Sequence, residues 1–242
     1  WLNLLSDYQP RWELPADRSR EVQRTYSSKR VDVTWDETAS RGVGELSRRL
    51  ACTMVVTWLA LLQALLWRIA RATDVVIGIP SAGQVTQGEP RLVGHCVHLL
   101  PVRLRCHDQD TFAVLAARAK AALLSCLEHP EVTYSALLAD LAGVRKPGQL
   151  PLVSMTVNVD HGLPALDFGS LRVSYETIPR QYEIFELAIN VVLRECVCLQ
   201  FNFNTRLFEE ATVRQWMGHL QTLMVRALAS PRASLSDLCT SV

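Results

Sequence analysis

Apolar and polar positions along the chain change their spacing several times, and each change marks the border of a predicted helix or strand. Asp36 and Thr53 are suitable N-caps for the first two helices. The helix after Thr53 is apolar all round, which is typical of a helix that is buried on every side. Asp110 and Thr133 begin two further helices. The predicted helices cover residues 37–50, 55–69, 110–128, 133–142 and 209–228.

The strand-like segments show either continuous β-branched runs or strict alternation. Residues 74–80 form a continuous run, as expected of a strand covered on both faces. Residues 153–160 alternate most cleanly, with Val157 on the apolar face and Asn158 on the polar face, so one side packs in the core and the other meets solvent or a tunnel. The predicted strands cover residues 26–35, 74–80, 97–105, 153–160, 171–177, 185–193 and 197–204.

The order of these elements predicts the fold class. Helices early and in the middle of the chain, followed by antiparallel-type strands, indicate an α/β (α+β) sandwich with helices packed on one mixed sheet. We expect residues 1–20 to form a connector on the surface and residues 21–230 to form the folded body. Residues 231–242 are predicted to leave this body as a linker.

Composition excludes several classes of function. The chain has 25 basic and 24 acidic residues, and a net charge of +1 gives no electrostatic signature for nucleic acid or an anionic membrane. The most apolar stretch, residues 54–69, is too short to span a bilayer and contains Gln63 and Arg68. Seven cysteines, an odd number and mostly within apolar runs, predict reduced thiols of a cytosolic protein rather than a disulfide framework.

Two short segments carry the strongest functional signal. Residues 76–84 read VIGIPSAGQ and residues 93–103 read VGHCVHLLPVR. They resemble the motifs G-x-P-x-A-G-R and V-G-x-x-V-N-x-L-P-x-R in the floor of condensation domains of nonribosomal peptide synthetases. Three further segments resemble motifs of that family in the family's order: 128–134 (EHPEVTY) for H-Q-D-x-P-F, 145–153 (RKPGQLPLV) for R-D-x-S-R-N-P-L-F, and 201–208 (FNFNTRLF) for x-Y-N-x-x-L-F.

The resemblance implies a lobe with a fold like that of chloramphenicol acetyltransferase, one of two lobes that form a V around a tunnel. Carrier-bound donor and acceptor thioesters enter that tunnel from opposite ends. In this picture residues 80–94 form the floor loop, residues 153–160 help to bridge the lobes, and residues 1–20 are the inter-lobe connector. The family's general-base histidine lies in an H-H-x-x-x-D-G motif of the preceding lobe, and this sequence has no such motif. The chain therefore resembles the C-terminal, acceptor-side lobe, which we expect to be inactive alone.

Several positions depart from the family pattern. His98 stands where the family has asparagine, and Gln84 and Gln149 stand where it has arginine. Pro130 replaces the glutamine that follows the motif's histidine. The segments G-I-P-x-A-G-Q and G-H-C-V are closer to a sub-branch suspected of dehydrating a carrier-bound Ser or Thr residue. Amide formation and dehydration are therefore both open at this point.

Each candidate site residue has a structural alternative. His98 is either a titratable acid or base, or a replacement for the structural hydrogen bonds of the family's amide. Ser81 and Gln84 either line the tunnel or serve the turn between the two floor strands. Asn158 either hydrogen-bonds a pantetheine or peptide amide, or lies on a solvated strand face. Arg145 either contacts a phosphopantetheine phosphate or pairs with a carboxylate.

The resemblance also implies partners and rivals. The expected partners are the preceding lobe, donor and acceptor carrier proteins with their 4'-phosphopantetheine arms, and a downstream adenylation domain in a bacterial cytoplasm. No cofactor is expected to bind directly, and the histidines and cysteines lack the spacing of a structural zinc site. The exposed face of an isolated lobe predicts self-association.

The rival interpretations are a non-catalytic docking platform for a carrier protein or adenylation domain, and a stand-alone acyltransferase, which would need an H-x-x-x-D motif that is absent.

Overall fold

The structure is a computed structural model of the 242-residue chain. It describes residues 1–9, 12–83, 88, 91–129, 132–141, 150–162, 168–171 and 177–239. Six strands and seven helices lie within these residues. The strands are β1 (Ser28–Thr34), β2 (Asp74–Ala82), β3 (Val97–Arg105), β4 (Met155–Asp160), β5 (Leu187–Val192) and β6 (Cys198–Asn204). The helices are α1 (Leu2–Leu5), α2 (Glu37–Arg49), α3 (Met54–Ala70), α4 (Phe112–Leu127), α5 (Tyr134–Asp140), α6 (Glu210–Ala229) and α7 (Leu235–Cys239).

All six strands form one mixed sheet in the order β1-β6-β5-β4-β2-β3. β2, β4 and β5 run parallel to one another, whereas the pairs β1–β6, β5–β6 and β2–β3 are antiparallel. Parallel pairing needs a long crossover connection, and two helices lie between β2 and β4 in the chain. The prediction of a mixed sheet with packed helices is confirmed.

One face of the sheet is covered by the main helix layer, which consists of α2, α3, α4, α6 and α7. Helix α3 lies within this layer against α2, α4 and α6, and its residues from Val56 to Trp67 are buried. This explains why the sequence of α3 is apolar all round. The strand residues that face this layer, such as Ile77, Val157 and Phe201, join it in one hydrophobic core.

A smaller hydrophobic cluster lies on the other face, over β2 and β3. Leu5 and Tyr8 of the N-terminal segment meet Leu137 of α5 and Val76 of β2 there. The predicted surface connector thus packs on the sheet through buried side chains. Within the described residues, no single helix is long and apolar enough to cross a membrane, and α2 with α3 meets that test only as a pair bent by 104°.

One sequence-based expectation needs correction at the start of a helix. Thr111, not Asp110, caps α4, because the Thr111 hydroxyl accepts a hydrogen bond from Val114 N at 3.3 Å. The Asp110 carboxylate instead accepts the backbone N–H of His107 at 2.7 Å. The strand predicted at 171–177 falls largely outside the described residues.

The described part of the segment that we interpreted as a linker, residues 231–239, packs on the folded body. Its short helix α7 buries Leu235 and Leu238 and packs against α3 and α6. The backbone N–H of Leu235 donates to Asp110 O at 2.7 Å, which ties this segment to the start of α4. A linker towards a further domain stays a prediction.

Candidate functional site: a groove with an amide row

A groove of about 710 Å³ lies on the face of the sheet opposite the main helix layer. This volume is within the range of small-molecule sites in proteins, roughly 300–1,000 Å³. Its floor is formed by β4, β5, β6 and the edge strand β1. One wall comes from β2, β3 and His95, which lies two residues before β3, and the other comes from residues 177–185. The wall residues are Pro80, His95, Val97 and Leu99 on the first side, and Thr177, Ile178, Arg180, Glu183 and Phe185 on the second.

Three side-chain amides form a continuous row across the floor of this groove. Asn158 of β4, Asn190 of β5 and Gln200 of β6 are direct partners in the strand register. Asn158 Nδ2 donates to Asn190 Oδ1 at 3.0 Å, and Asn190 Nδ2 donates to Gln200 Oε1 at 3.0 Å. Residues that are opposite each other on neighbouring strands have side chains close enough for such bonds. We call these three residues the amide row.

The amide row ends at a cationic group. Gln200 Nε2 donates to Thr177 Oγ1 at 3.0 Å, and the same oxygen accepts a hydrogen bond from Arg30 Nη1 at 2.9 Å. The guanidinium of Arg30 is largely covered and also pairs with Asp32, with 2.9 Å between Arg30 Nε and Asp32 Oδ1. The row is therefore anchored at the β1 side of the sheet and open at the β4 side.

The wall at residues 177–185 is held against β1 by backbone hydrogen bonds. Ser28 N donates to Gln181 O at 2.8 Å, and Glu183 N donates to Tyr26 O at 2.9 Å. The buried carboxylate of Glu183 accepts the N–H of Ile184 at 2.8 Å and lies 3.5 Å from Arg180. This wall therefore has a fixed position relative to the amide row.

The predicted site residues are only partly brought together. Asn158 lies on the groove floor, as the alternation of its strand predicts. Ser81 and His98 are direct partners in the β2–β3 register, but they share the phase of Ile79 and Leu100, which face the main helix layer. Neither lines the groove. Gln84 and Arg145, together with residues 85–87, 89 and 90 of the floor loop, lie outside the described residues.

The imidazole of His98 packs against the backbone of the β2–β3 connection. A Cβ atom added at Gly83 would lie 2.5 Å from Cδ2 of His98 and 2.3 Å from Cys96 O. The N–H of Gly83 donates to Cys96 O at 2.7 Å. Glycine is therefore required at position 83 by close approach, and His98 fills the space beside it.

Among the residues that line the groove, sequence reasoning singled out only Asn158 as a site residue. Asn190, Gln200 and Thr177 complete the hydrogen-bonded row, and His95 is the imidazole on the groove wall. The alternation of β6 already put Gln200 on a polar face, but only the strand order puts it beside Asn190. The described residues contain no group of three or more histidine, cysteine or acidic side chains that could hold a metal ion.

The last residue of the second floor motif has a structural role. Arg103 is almost fully buried and clamps the N-terminal segment to the β2–β3 pair. Its guanidinium donates two hydrogen bonds to Asp74, at 2.8 and 2.6 Å, and one to Leu4 O at 2.7 Å. It also donates to Asp7, and this bond holds the pKa of that carboxyl below its usual range. Burial raises the pKa of the neighbouring Tyr8 to about 12.

The asparagine of the 201–208 motif is also explained by structure. Asn204 Nδ2 donates to Thr25 O at 2.7 Å, and its Oδ1 accepts the N–H of Arg206 at 2.9 Å. These bonds close the turn between β6 and α6 and hold the segment before β1 beside it. Asn204 is therefore a turn-forming residue rather than a groove residue.

The architecture defines a class: a lobe built on a mixed sheet, with helices on one face and a polar substrate-sized groove on the other. The chain belongs to the condensation domain family, whose family model matches residues 1–241. It is 28% identical over 240 residues to surfactin synthase subunit 2 of Bacillus subtilis (strain 168), and 27% identical over 236 residues to malpibaldin synthetase of Mortierella alpina. These alignments cover 98% and 95% of this chain but only 7% and 4% of those proteins.

Solved structures share the fold. The complex of the X-domain and OxyB from teicoplanin biosynthesis superposes with a TM-score of 0.86 at 22% identity, over 98% of this chain and 53% of that one. The first condensation domain of the calcium-dependent antibiotic synthetase, in complex with a substrate analogue, gives a TM-score of 0.81 at 18% identity, over 98% of this chain and 51% of that one. The chain thus spans about half of these solved chains. The expected fold, like that of chloramphenicol acetyltransferase, is confirmed.

Proposed function

We propose that this chain is the acceptor-side half of a condensation domain that joins carrier-bound aminoacyl and peptidyl thioesters in nonribosomal peptide biosynthesis. The observation that carries the proposal is the amide of Asn158, presented on the floor of a substrate-sized groove in a chain of this family. The 4'-phosphopantetheine arms of carrier proteins and the peptide itself contain amides that such a side chain can hydrogen-bond.

The reaction needs groups that this chain does not supply by itself. The amine nitrogen of the acceptor attacks the donor carbonyl, the C–N bond forms, the C–S bond breaks, and the thiolate leaves. A base removes the proton of the amine, and we propose that it comes from a preceding lobe with an H-H-x-x-x-D-G motif. The present chain would orient the acceptor arm and exclude water, in a bacterial cytoplasm and beside a downstream adenylation domain.

The experiment is a mass measurement with the preceding lobe restored. Donor and acceptor carrier proteins are loaded with a Ser-containing peptide and an amino acid, and the pantetheine-bound products are weighed. A product with both masses supports condensation, and further loss of one water supports dehydration. Asn158→Ala should lower kcat/KM by about five- to tenfold, because one hydrogen bond to substrate is lost. The matched control is Asn3→Ala at an exposed position of α1, which should leave kcat/KM unchanged.

A docking platform is the second candidate. Its support is the fold shared with the X-domain that was solved in complex with OxyB. This candidate predicts no mass change with any substrate, and stable binding of a protein partner. The two functions are therefore separated by the same loaded-carrier assay.

We also propose that the preceding lobe covers the apolar side chains on the two walls of the groove. Val97 at the start of β3 is 51% exposed, and Ile178 on the opposite wall is 88% exposed. Without the preceding lobe, these surfaces favour self-association. Sedimentation of the isolated chain should show oligomers at high concentration, and a monomer at all concentrations would contradict this proposal.

A further inference from the structure

The amide row has a direction, and the direction determines what Asn158 offers to a ligand. Each amide uses its nitrogen as donor to the next amide towards Thr177. Asn158 is the first member, so the row leaves its Oδ1 and its second N–H uncommitted. Within the described part of the chain, neither has a hydrogen-bond partner. Asn158 therefore presents one acceptor and one donor to the groove, as a free peptide unit does.

The row also fixes the orientation of this terminal amide. An exposed asparagine alone rotates freely about its terminal torsion, and ordering it on ligand binding costs entropy. Here Asn190 holds the nitrogen of Asn158, Gln200 holds the nitrogen of Asn190, and Thr177 with Arg30 anchors Gln200. Hydrogen bonds in such a chain polarise one another, and this makes Asn158 Oδ1 at the free end of the row a stronger hydrogen-bond acceptor.

We propose that Asn190 and Gln200 are positioning residues that act through Asn158, and that the ligand of Asn158 is a secondary amide of the carrier-bound arm or peptide. This inference rests on the proposed function and adds to it the chemical class of the ligand group that the groove floor binds. A secondary amide donates one hydrogen bond and accepts one, and so matches both uncommitted groups of Asn158.

The decisive experiment is a double-mutant cycle in the complete condensation domain. Gln200→Leu removes the acceptor that holds Asn190 and should raise KM for the acceptor carrier protein by about fivefold, with little change in kcat. In the Asn158→Ala background, the same substitution should not raise KM further, because the Asn158 amide that Gln200 helps to orient is absent. Independent, additive losses would overturn the proposal, since they would mean that Gln200 acts without Asn158.

A conservative variant separates positioning from folding. Gln200→Glu keeps the acceptor oxygen for Asn190, and its carboxylate can take the hydroxyl hydrogen of Thr177 beside Arg30. KM should therefore return close to the wild-type value. The matched control is Gln215→Leu, the same change on the exposed face of α6 and outside the groove. A loss in Gln200→Glu as large as in Gln200→Leu would contradict the proposal.

A binding measurement distinguishes failure of this inference from failure of the proposed function. Pantetheine, which contains two secondary amides, is added to the chain, and the side-chain NH2 signals of Asn158, Asn190 and Gln200 are followed by NMR. All three should shift together in the wild type, and the shifts should vanish in Asn158→Ala. If the complete domain forms no amide product but these shifts occur, the proposed function fails and the positioning role stands. If product forms and pantetheine shifts only Asn158, the positioning role fails alone.

Discussion

Ser81 and His98 face each other across the β2–β3 ladder on the side of the sheet that carries the main helix layer, whereas the groove opens on the other side. Pro80 and Leu99, the adjacent pair in the same ladder, line the groove. The imidazole at the unusual motif position is thus separated from the amide row by the sheet itself. We therefore expect His98→Asn to leave the mass of the product unchanged in the loaded-carrier assay. A product that gains or loses one water in this variant would contradict the expectation.

Gly83 should be intolerant of any side chain. In Gly83→Ala the new Cβ would lie 2.3 Å from Cys96 O and 2.5 Å from the His98 ring, so the β2–β3 connection must shift. We expect a loss of about 1–3 kcal/mol in the free energy of unfolding, measured by urea denaturation. The control is Gly44→Ala in α2, where no atom lies within 4 Å of the added Cβ. The free energy of unfolding of that variant should rise by about 0.5–1 kcal/mol, because glycine is a poor helix former.

Gln63 should be replaceable by an apolar residue with a gain in stability. Its side chain is fully buried in α3, and neither amide atom has a hydrogen bond of normal geometry among the described residues. The nearby polar group is the thiol of Cys106, a weak partner. We expect Gln63→Leu to raise the free energy of unfolding by about 1–2 kcal/mol, since an unsatisfied buried amide is removed. Gln215→Leu on the exposed face of α6 should change it by less than about 0.5 kcal/mol.

The attachment of the N-terminal segment should weaken in acid. The hydrogen bond from Arg103 lowers the pKa of Asp7 in the folded state, so the ionised carboxylate stabilises this attachment above the usual aspartate pKa of about 3.9. That contribution is lost as the pH falls through the lowered value. NMR titration should show the amide signals of Leu4 and Tyr8 moving in this acid range. Asp7→Asn should abolish the titration, and an unchanged profile in that variant would contradict the assignment.

The seven cysteines should divide into two reactivity classes. Burial raises the pKa of Cys106 and Cys126 to about 12 and that of Cys239 to about 11. The thiolate is the reactive form, so these three should be labelled slowly by an alkylating reagent at pH 8. The partly exposed thiols are Cys52, Cys96, Cys196 and Cys198. Mass spectrometry should show four fast additions in the native protein and seven in denaturant, and seven fast additions without denaturant would contradict the burial of the three.

The sequence predicted the elements well because caps and periodicity are local signals. Asp36 and Thr53 cap helices where their side chains predicted. The residues of the groove could be predicted less completely from the sequence. β3 is apolar on both faces over most of its length, so the pattern does not say which side His98 faces. The amide row depends on β4, β5 and β6 lying side by side in one register, and strand order is a property of the whole fold.

The strand order also has a consequence for how the protein reaches its native state. β1 begins at Ser28 and pairs with β6 through Asn204, while β4 joins two parallel neighbours that are brought together only by long crossovers. Contacts so distant along the chain incur loop-closure entropy before they add stability, and this slows folding. The edge strand β1, which supplies Arg30, can pair only after nearly the whole chain has been synthesised. The groove floor is therefore a late product of folding, and until β6 is made the unpaired edges of β1 are the surface most in need of protection from aggregation.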